Sequence, residues 1–198
     1  WLEQLGVDTS ERQYWIPRDA RAREQVDAWW PKGFVIGLCP YGASKKKHLN
    51  DDWISRIVTA CLADDLRIVF FVLPSQRPHI EYLIEFNGWG NDVVVNKGDS
   101  SQFILFEQVA RSGAVVSVDT AIVHLAVGLE KPLLAIYNSE AAEFENWHPN
   151  DPKAVVVRTE CAASSTVNRV DESELFDRLR HWRETIVSTS LSNDTPHQ

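Results

Sequence analysis

The stretch Gly113–Tyr137, GAVVSVDTAIVHLAVGLEKPLLAIY, decides how this chain folds. Ala114–Val118 is a short, mostly apolar run with the length and composition of a buried strand. Asp119 and Thr120 interrupt it, and Ile122, Leu125, Ala126 and Leu129 then recur at helical spacing. Lys131 and Pro132 end that helix, and Leu133–Tyr137 reads as the next strand. Strand, polar turn, helix, strand is the order of a parallel βαβ crossover, which sets the helix N-terminus beside the carboxyl end of the first strand. The unpaired N–H groups there, with the positive end of the helix dipole, suit a phosphate. Thr120 adds a hydroxyl, and His124 follows one turn later on the same helical face. The same residues also read as an ordinary cap, Asp119 or Thr120, followed by a core histidine, and caps of this kind are common.

Outward from this unit the same rhythm repeats. Phe34–Cys39, Arg67–Leu73, Asp92–Val95 and Ala154–Val157 read as further strands, which makes about six. Between them lie helices: one capped by Asn50 with Trp53, Ile54, Ile57, Val58, Cys61 and Leu62 on its inner face, and one with Pro78 in its first turn, ending at Gly88–Gly90. Another, capped by Ser100 or Ser101, holds Phe103, Ile104, Phe106, Val109 and Ala110 inward. The segment Asn138–Pro152 reads as a long loop, and Glu172–Val187 as the last helix. The predicted fold class is α/β, a doubly wound parallel sheet of about six strands. Residues 1–31, with a short helix near Glu24–Trp30, read as a connection from a preceding domain, 32–187 as the folded domain, and 188–198 as a disordered tail.

Composition narrows the function. The chain of 198 residues can build one sizeable core, and its 44% hydrophobic and 24% charged content is that of a soluble globular protein. No run is long and apolar enough to span a bilayer, and no signal peptide is visible, so the expected location is cytoplasmic. A net charge of −8 argues against a nucleic-acid partner. The three cysteines, Cys39, Cys61 and Cys161, are widely spaced and read as reduced thiols rather than a metal or disulfide set. The chain contains no methionine, so it is expected to be a piece of a longer polypeptide.

In the doubly wound order the first and fourth strands are neighbours at the switch point, where ligands bind outside the strands' carboxyl ends. The loops meeting there are Pro40–His48 and Asp119–His124, both equipped for anions. The first offers Gly42 for close backbone approach, Ser44 as a hydroxyl, and Lys45–Lys47, of which only one need point inward. Neither GxxxxGK[ST] nor GxGxxG is present. Asp119 either binds a ligand hydroxyl or shapes its own turn, since a carboxylate beside a diphosphate is otherwise unfavourable. Glu81 is a candidate for ribose hydroxyls, although exposed helix carboxylates are commoner. No metal set and no nucleophile–base arrangement is legible.

VDTAIVHLAVGLEKPLLAIY resembles the signature segment of glycosyltransferase family 9, the lipopolysaccharide heptosyltransferases, with its Asp-Ser/Thr-Gly-x-x-His-Leu-Ala pattern followed by Lys-Pro and an apolar strand. GLCPYGASKKKHLNDDWISRIV and the later NWHP are similar to the family's phosphate loop and its Trp-x-Pro, so the resemblance covers about residues 34–150. It implies the Rossmann-like, donor-binding half of a GT-B enzyme that transfers a heptose-like sugar from a nucleotide-diphosphate sugar, with an ADP-sugar favoured. Transfer is implied to be inverting, metal-independent and without cofactor, onto a lipopolysaccharide or related surface glycan. By position Asp119, Thr120, Ala121 and His124 match the donor-diphosphate turn, Lys47 the phosphate-binding lysine and Ser44 the loop hydroxyl. No catalytic residue is assigned to this chain, because the resemblance places the general base and the glycolipid or glycan acceptor in an amino-terminal domain. The full-length protein would then work at the inner face of the membrane. Ala121 departs from the pattern, standing where the family has glycine. Two alternatives share the architecture: a sugar-nucleotide 2-epimerase, and a non-catalytic nucleotide-binding or interaction domain.

Overall fold

A single six-stranded parallel sheet, ordered β3–β2–β1–β4–β5–β6, runs through the middle of the molecule. The strands are β1 (Val35–Cys39), β2 (Arg67–Phe70), β3 (Val93–Val95), β4 (Ala114–Val118), β5 (Leu133–Tyr137) and β6 (Val155–Arg158). The helices are α1 (Ala20–Asp27), α2 (Asp51–Leu62), α3 (Arg77–Asn87), α4 (Gln102–Arg111), α5 (Ala121–Gly128), α6 (Ala141–Trp147) and α7 (Glu172–Asn193). The structure is a computed structural model that describes residues 14–62, 66–98, 101–159 and 166–193. The strand order reverses between β1 and β4, which pair in register from Ile36↔Ala114 to Cys39↔Ser117. This is the switch point expected from the alternation of strands and helices.

Helices cover both faces because the strands are apolar on both. Ile36, Leu38, Val116, Val118 and Ile136 join one core with residues of α2, α3 and α7. Their sequence neighbours Val35, Val115, Ala135 and Tyr137 join the opposite core with Val109 of α4 and Val123 and Ala126 of α5. The alternation is the period-two geometry of a strand, and a fully buried Ile or Leu side chain stabilises the fold by about 1.5–3 kcal/mol. The two edge strands, β3 and β6, are three and four residues long, which limits the unpaired backbone they present.

Caps fix where helices begin and end. Asn50 Oδ1 accepts from the Trp53 N–H at 2.9 Å at the start of α2, as expected. Pro78 lies in the first turn of α3, and Gly88 ends that helix with φ +67°. Ahead of α1, Asp19 Oδ1 accepts from the Ala22 N–H at 2.7 Å. Helix α1 packs on α4 through Ala22, Val26 and Ile104.

Four expectations need correction. Strand β2 stops at Phe70 rather than Leu73, because β3 offers no partner past Val95; Leu73 is turned to solvent. The segment read as a loop from Asn138 contains α6, anchored by Phe144 edge-on against Tyr137 at 5.1 Å. Helix α7 continues past Val187 to Asn193, into residues expected to be disordered, and 194–198 lie outside the described residues. On α4 the buried stripe is Ile104, Glu107, Gln108 and Val109, whereas Phe103 is exposed. Glu107 can lie inside because Arg18 meets it in a bidentate pair, Nε to Oε1 at 2.6 Å and Nη2 to Oε2 at 2.5 Å. The described part of the amino-terminal segment is therefore fastened to the domain. Cys39 and Cys61 are buried thiols outside any disulfide, and Cys161 lies outside the described residues.

Candidate functional site

The loop after β1 and the turn after β4 touch at the carboxyl edge of the sheet. Tyr41 and His48 pair across the first loop, the Gly42 N–H donates to Lys47 O at 2.9 Å, and His48 Nε2 lies 3.0 Å from Gly42 O. Gly42 is needed for closeness: a Cβ there would sit 2.5 Å from Lys47 Cβ and 3.0 Å from the Asp119 carbonyl oxygen. The loop is also clamped from the far end of the chain. Asn168 donates through Nδ2 to His48 O at 2.8 Å and accepts at Oδ1 from the Asn50 N–H at 2.8 Å, while its carbonyl accepts from Trp53 Nε1.

Of the three lysines only Lys47 turns inward. Its Nζ lies 2.7 Å from Asp119 Oδ2, with both side chains largely buried. The spacing is that of a direct ion pair, although the angles leave Oδ2 without a well-aligned hydrogen bond. The pairing answers the objection that a carboxylate disfavours a diphosphate, because Lys47 neutralises it. Ser44 precedes the lysines as an exposed residue at the head of a single 3₁₀ turn, and its hydroxyl caps nothing. Thr120 is the N-cap of α5: Oγ1 accepts from the Ile122 N–H at 3.1 Å and lies 3.2 Å from Ser117 Oγ. The capping reading of Thr120 therefore holds; its carbonyl also accepts from the Val123 N–H at 3.1 Å, which leaves the Ala121 N–H as the first-turn amide available to a ligand. Ala121, the first residue of α5, is exposed, so its methyl group stands at the mouth of the site rather than against the protein.

His124 is half-buried one turn into α5. Its Nδ1 lies 3.0 Å from the Tyr14 hydroxyl, and Trp147 meets the ring edge-on at 6.1 Å. Burial lowers its pKa below 6.5; Asp119 opposes that shift and His148 reinforces it. At neutral pH the imidazole is uncharged. Across the same edge opens a cavity of about 390 Å³, bounded by Cys39 and Tyr41 after β1, Phe71 after β2, Gln108 of α4, and Thr120 and Ala121. Burial holds the Cys39 thiol above its ordinary range and the Tyr41 phenol at about 12, so both are protonated walls. Gln108 Nε2 donates to Lys97 O at 2.9 Å, which orients the amide, and Oε1 has no hydrogen-bonding partner among the described residues.

The structure thus brings Lys47, Asp119, Thr120 and Ala121 together, with His124 one turn on and Ser44 at the margin. Glu81 lies on the exposed side of α3 and does not border the cavity; the residues of that helix that do are Arg77 and, just before it, Gln76. Sequence reading did not find Tyr14, Gln108 or Asn168. Gln108 follows Ile104 by four residues and so falls on the buried stripe of α4, a signal that was there to use. Asn168 and Tyr14 meet their partners across more than a hundred residues, and no local pattern marks them. Among the described residues no group of three metal-ligating side chains converges, and no helix is long and apolar enough to cross a membrane.

Comparison with known proteins bears on this arrangement. The family description "Glycosyltransferase family 9 (heptosyltransferase)" matches residues 3–176. Over 153 residues the chain is 36% identical to a provisionally named lipopolysaccharide heptosyltransferase 4 of Escherichia coli (strain K12), covering 74% of this chain and 39% of that relative. A glycosyl transferase family 9 structure from Veillonella parvula DSM 2008 superposes with a TM-score of 0.75 at 17% identity, over 93% of this chain and 58% of that one. The E. coli heptosyltransferase WaaC, solved with ADP, gives 0.67 at 17% identity, over 91% and 53%. At such identities the two structural likenesses speak for the fold alone. The chain spans between about two-fifths and three-fifths of the length of these relatives.

Proposed function

Because the chain belongs to glycosyltransferase family 9, we propose that it is the donor-binding part of an enzyme that moves a sugar from a nucleoside diphosphate onto a surface-glycan acceptor. The observation that carries this reading is Lys47, held by Asp119 just before α5, next in the chain to Thr120 and Ala121, which line a cavity of about 390 Å³ together with Gly42 of the lysine's own loop. The volume suits a nucleoside, and the Ala121 N–H at its edge with Lys47 nearby would serve its diphosphate. The donor proposed first is an ADP-sugar, supported by the ADP in the WaaC structure, with a heptose-like sugar.

In this reading an acceptor hydroxyl attacks the anomeric carbon and the carbon–oxygen bond to the diphosphate breaks, with inversion. The hydroxyl proton passes to a base outside this chain, and the electron pair leaves with the diphosphate. Lys47, the Ala121 N–H and His124 would face the charge that grows on that leaving group, which is where electrostatic stabilisation lowers a barrier most. Ser44 has a minor part at the outer phosphate, and Glu81, which does not border the cavity, has none. The acceptor, a lipid-linked glycan at a membrane face, belongs to the remainder of the enzyme.

The test is calorimetric titration of the chain with ADP, UDP and GDP. ADP binds selectively, and Lys47→Ala weakens it about tenfold to a hundredfold, the value of one charge-assisted hydrogen bond. Failure of all three nucleotides to bind, or a Lys47→Ala variant that binds like wild type, refutes the reading.

A further inference from the structure

Tyr14 stands outside both loops yet reaches into the site. The segment that carries it lies directly on the last turn of α5. Gly128 permits this, since a Cβ there would sit 2.6 Å from Tyr14 Cβ and 3.0 Å from Ile16 Cγ1. From that anchor the Tyr14 ring runs back along α5 to His124, with ring centroids 5.6 Å apart and the hydroxyl 3.0 Å from Nδ1. Trp147 covers another side of the imidazole. His124 Nε2 has no hydrogen-bonding partner among the described residues.

The groups facing His124 come from every element around it: Asp119 from the turn, His148 after α6, and Tyr14 itself. Tyr137 of β5 stands near enough to feel both Asp119 and Tyr14, and burial, ahead of either, keeps its phenol protonated. An uncharged imidazole carries one N–H, and the hydrogen bond made by one nitrogen decides which nitrogen carries it. A phenol is a good donor and a poor acceptor, whereas the bare imidazole nitrogen is a strong acceptor. The stronger arrangement is O–H donating to Nδ1, which puts the imidazole proton on Nε2.

We propose that Tyr14 is a positioning residue: by donating to Nδ1 it fixes His124 in its ring orientation and Nε2–H tautomer, so that Nε2–H is the donor presented to a diphosphate oxygen. The inference rests on the donor-binding reading and deepens it, because it makes a residue of the amino-terminal segment part of the donor site. It also separates Tyr14 from Trp15 beside it, which is 84% exposed and touches none of this.

The test uses Tyr14→Phe, which removes only the hydroxyl from a residue that is 40% exposed and keeps its packing on Gly128. Nitrogen-15 correlation spectra of the His124 ring report the tautomer directly. Wild type shows a protonated Nε2 and a bare, hydrogen-bonded Nδ1, and Tyr14→Phe loses the hydrogen-bonded signature. ADP affinity by calorimetry falls about three- to tenfold in Tyr14→Phe, the range of one hydrogen bond. In a His124→Ala background the same change has no effect, because Tyr14 acts through the imidazole. A wild-type spectrum with the proton on Nδ1 overturns the proposal. ADP binding that is normal in wild type and unchanged in Tyr14→Phe overturns it while leaving the donor site standing. If wild type binds no nucleoside diphosphate, the donor reading fails and takes this one with it.

Discussion

Gly42→Ala puts the argument about the two loops at risk with one methyl group. The added carbon would lie 2.5 Å from Lys47 Cβ, 3.0 Å from the Asp119 carbonyl oxygen and 3.2 Å from the Lys47 carbonyl oxygen. The first contact is short of ordinary van der Waals separation by roughly an ångström, and two of the three are backbone atoms that cannot rotate away. The backbone of Gly42 is not left-handed, so the penalty is steric and not conformational. Overpacking of this kind costs about 1–3 kcal/mol. For a chain of this length that lowers the melting temperature by roughly 2–12 °C. The strain is relieved by moving Lys47 away from Asp119, which takes the ammonium group from its place beside the start of α5. ADP affinity should then fall about tenfold or more, close to the loss in Lys47→Ala, because the same charge-assisted bond is given up. Differential scanning calorimetry and titration with ADP read the two effects separately. A lowered melting temperature with unchanged ADP affinity refutes the placement of the diphosphate beside Lys47. No change in either measurement refutes the packing of the loops.

Three further outcomes follow from other contacts. The hydrogen bond from Arg18, more than the charge itself, holds the Glu107 carboxyl below its ordinary 4.5 despite burial, so the folded state binds its proton less readily than the unfolded chain. Stability from this pair is full above pH 4.5 and drains away as the pH falls through the depressed value; Glu107→Gln lowers the melting temperature at pH 7 and flattens its acid limb, and an unchanged acid limb refutes the assignment. Asn168→Ala removes the clamp on the first loop at a cost of about 1–3 kcal/mol, and the Asn50 amide, which donates to it, exchanges with solvent faster; protection equal to wild type counts against the clamp. Ala121→Gly costs α5 at most about 1 kcal/mol and changes ADP affinity less than threefold, since the residue is exposed, and a larger gain in calorimetric affinity would show that its methyl group narrows the donor site.

The central crossover was legible because its signals are local and agree. Two five-residue apolar runs, a polar punctuation at Asp119–Thr120 and a Lys-Pro stop gave β4 and β5 their observed ends. The strand order brought the loop Pro40–His48 beside Asp119, but among its three lysines Lys47 was singled out by the family resemblance, and its ion pair with Asp119 showed only in the structure. Helix α6 was hidden because its seven residues make only about two turns, too few for a helical period to show. Leu73 was counted into β2 because a side chain's hydrophobicity does not reveal whether its backbone has a partner. The polar residues of α4 were passed over for a different reason: Glu107 is inside only because Arg18, 89 residues earlier, satisfies it. Long-range pairing of this sort leaves no trace in a window of sequence.

The strand order carries a kinetic consequence. The middle of the sheet is made by β1 and β4, whose paired residues Ile36 and Ala114 are roughly eighty residues apart in the chain. Closing so large a loop costs entropy before any contact repays it, so the centre of the sheet is a late event and the chain should refold slowly for its size. Until β4 has emerged, the apolar edge of β1 has no partner on that side and is open to association with other chains. A ribosome-bound chain ending before Ala114 should therefore be more aggregation-prone than one ending after β5, and slow refolding at low protein concentration should recover more of this domain than rapid refolding at high concentration.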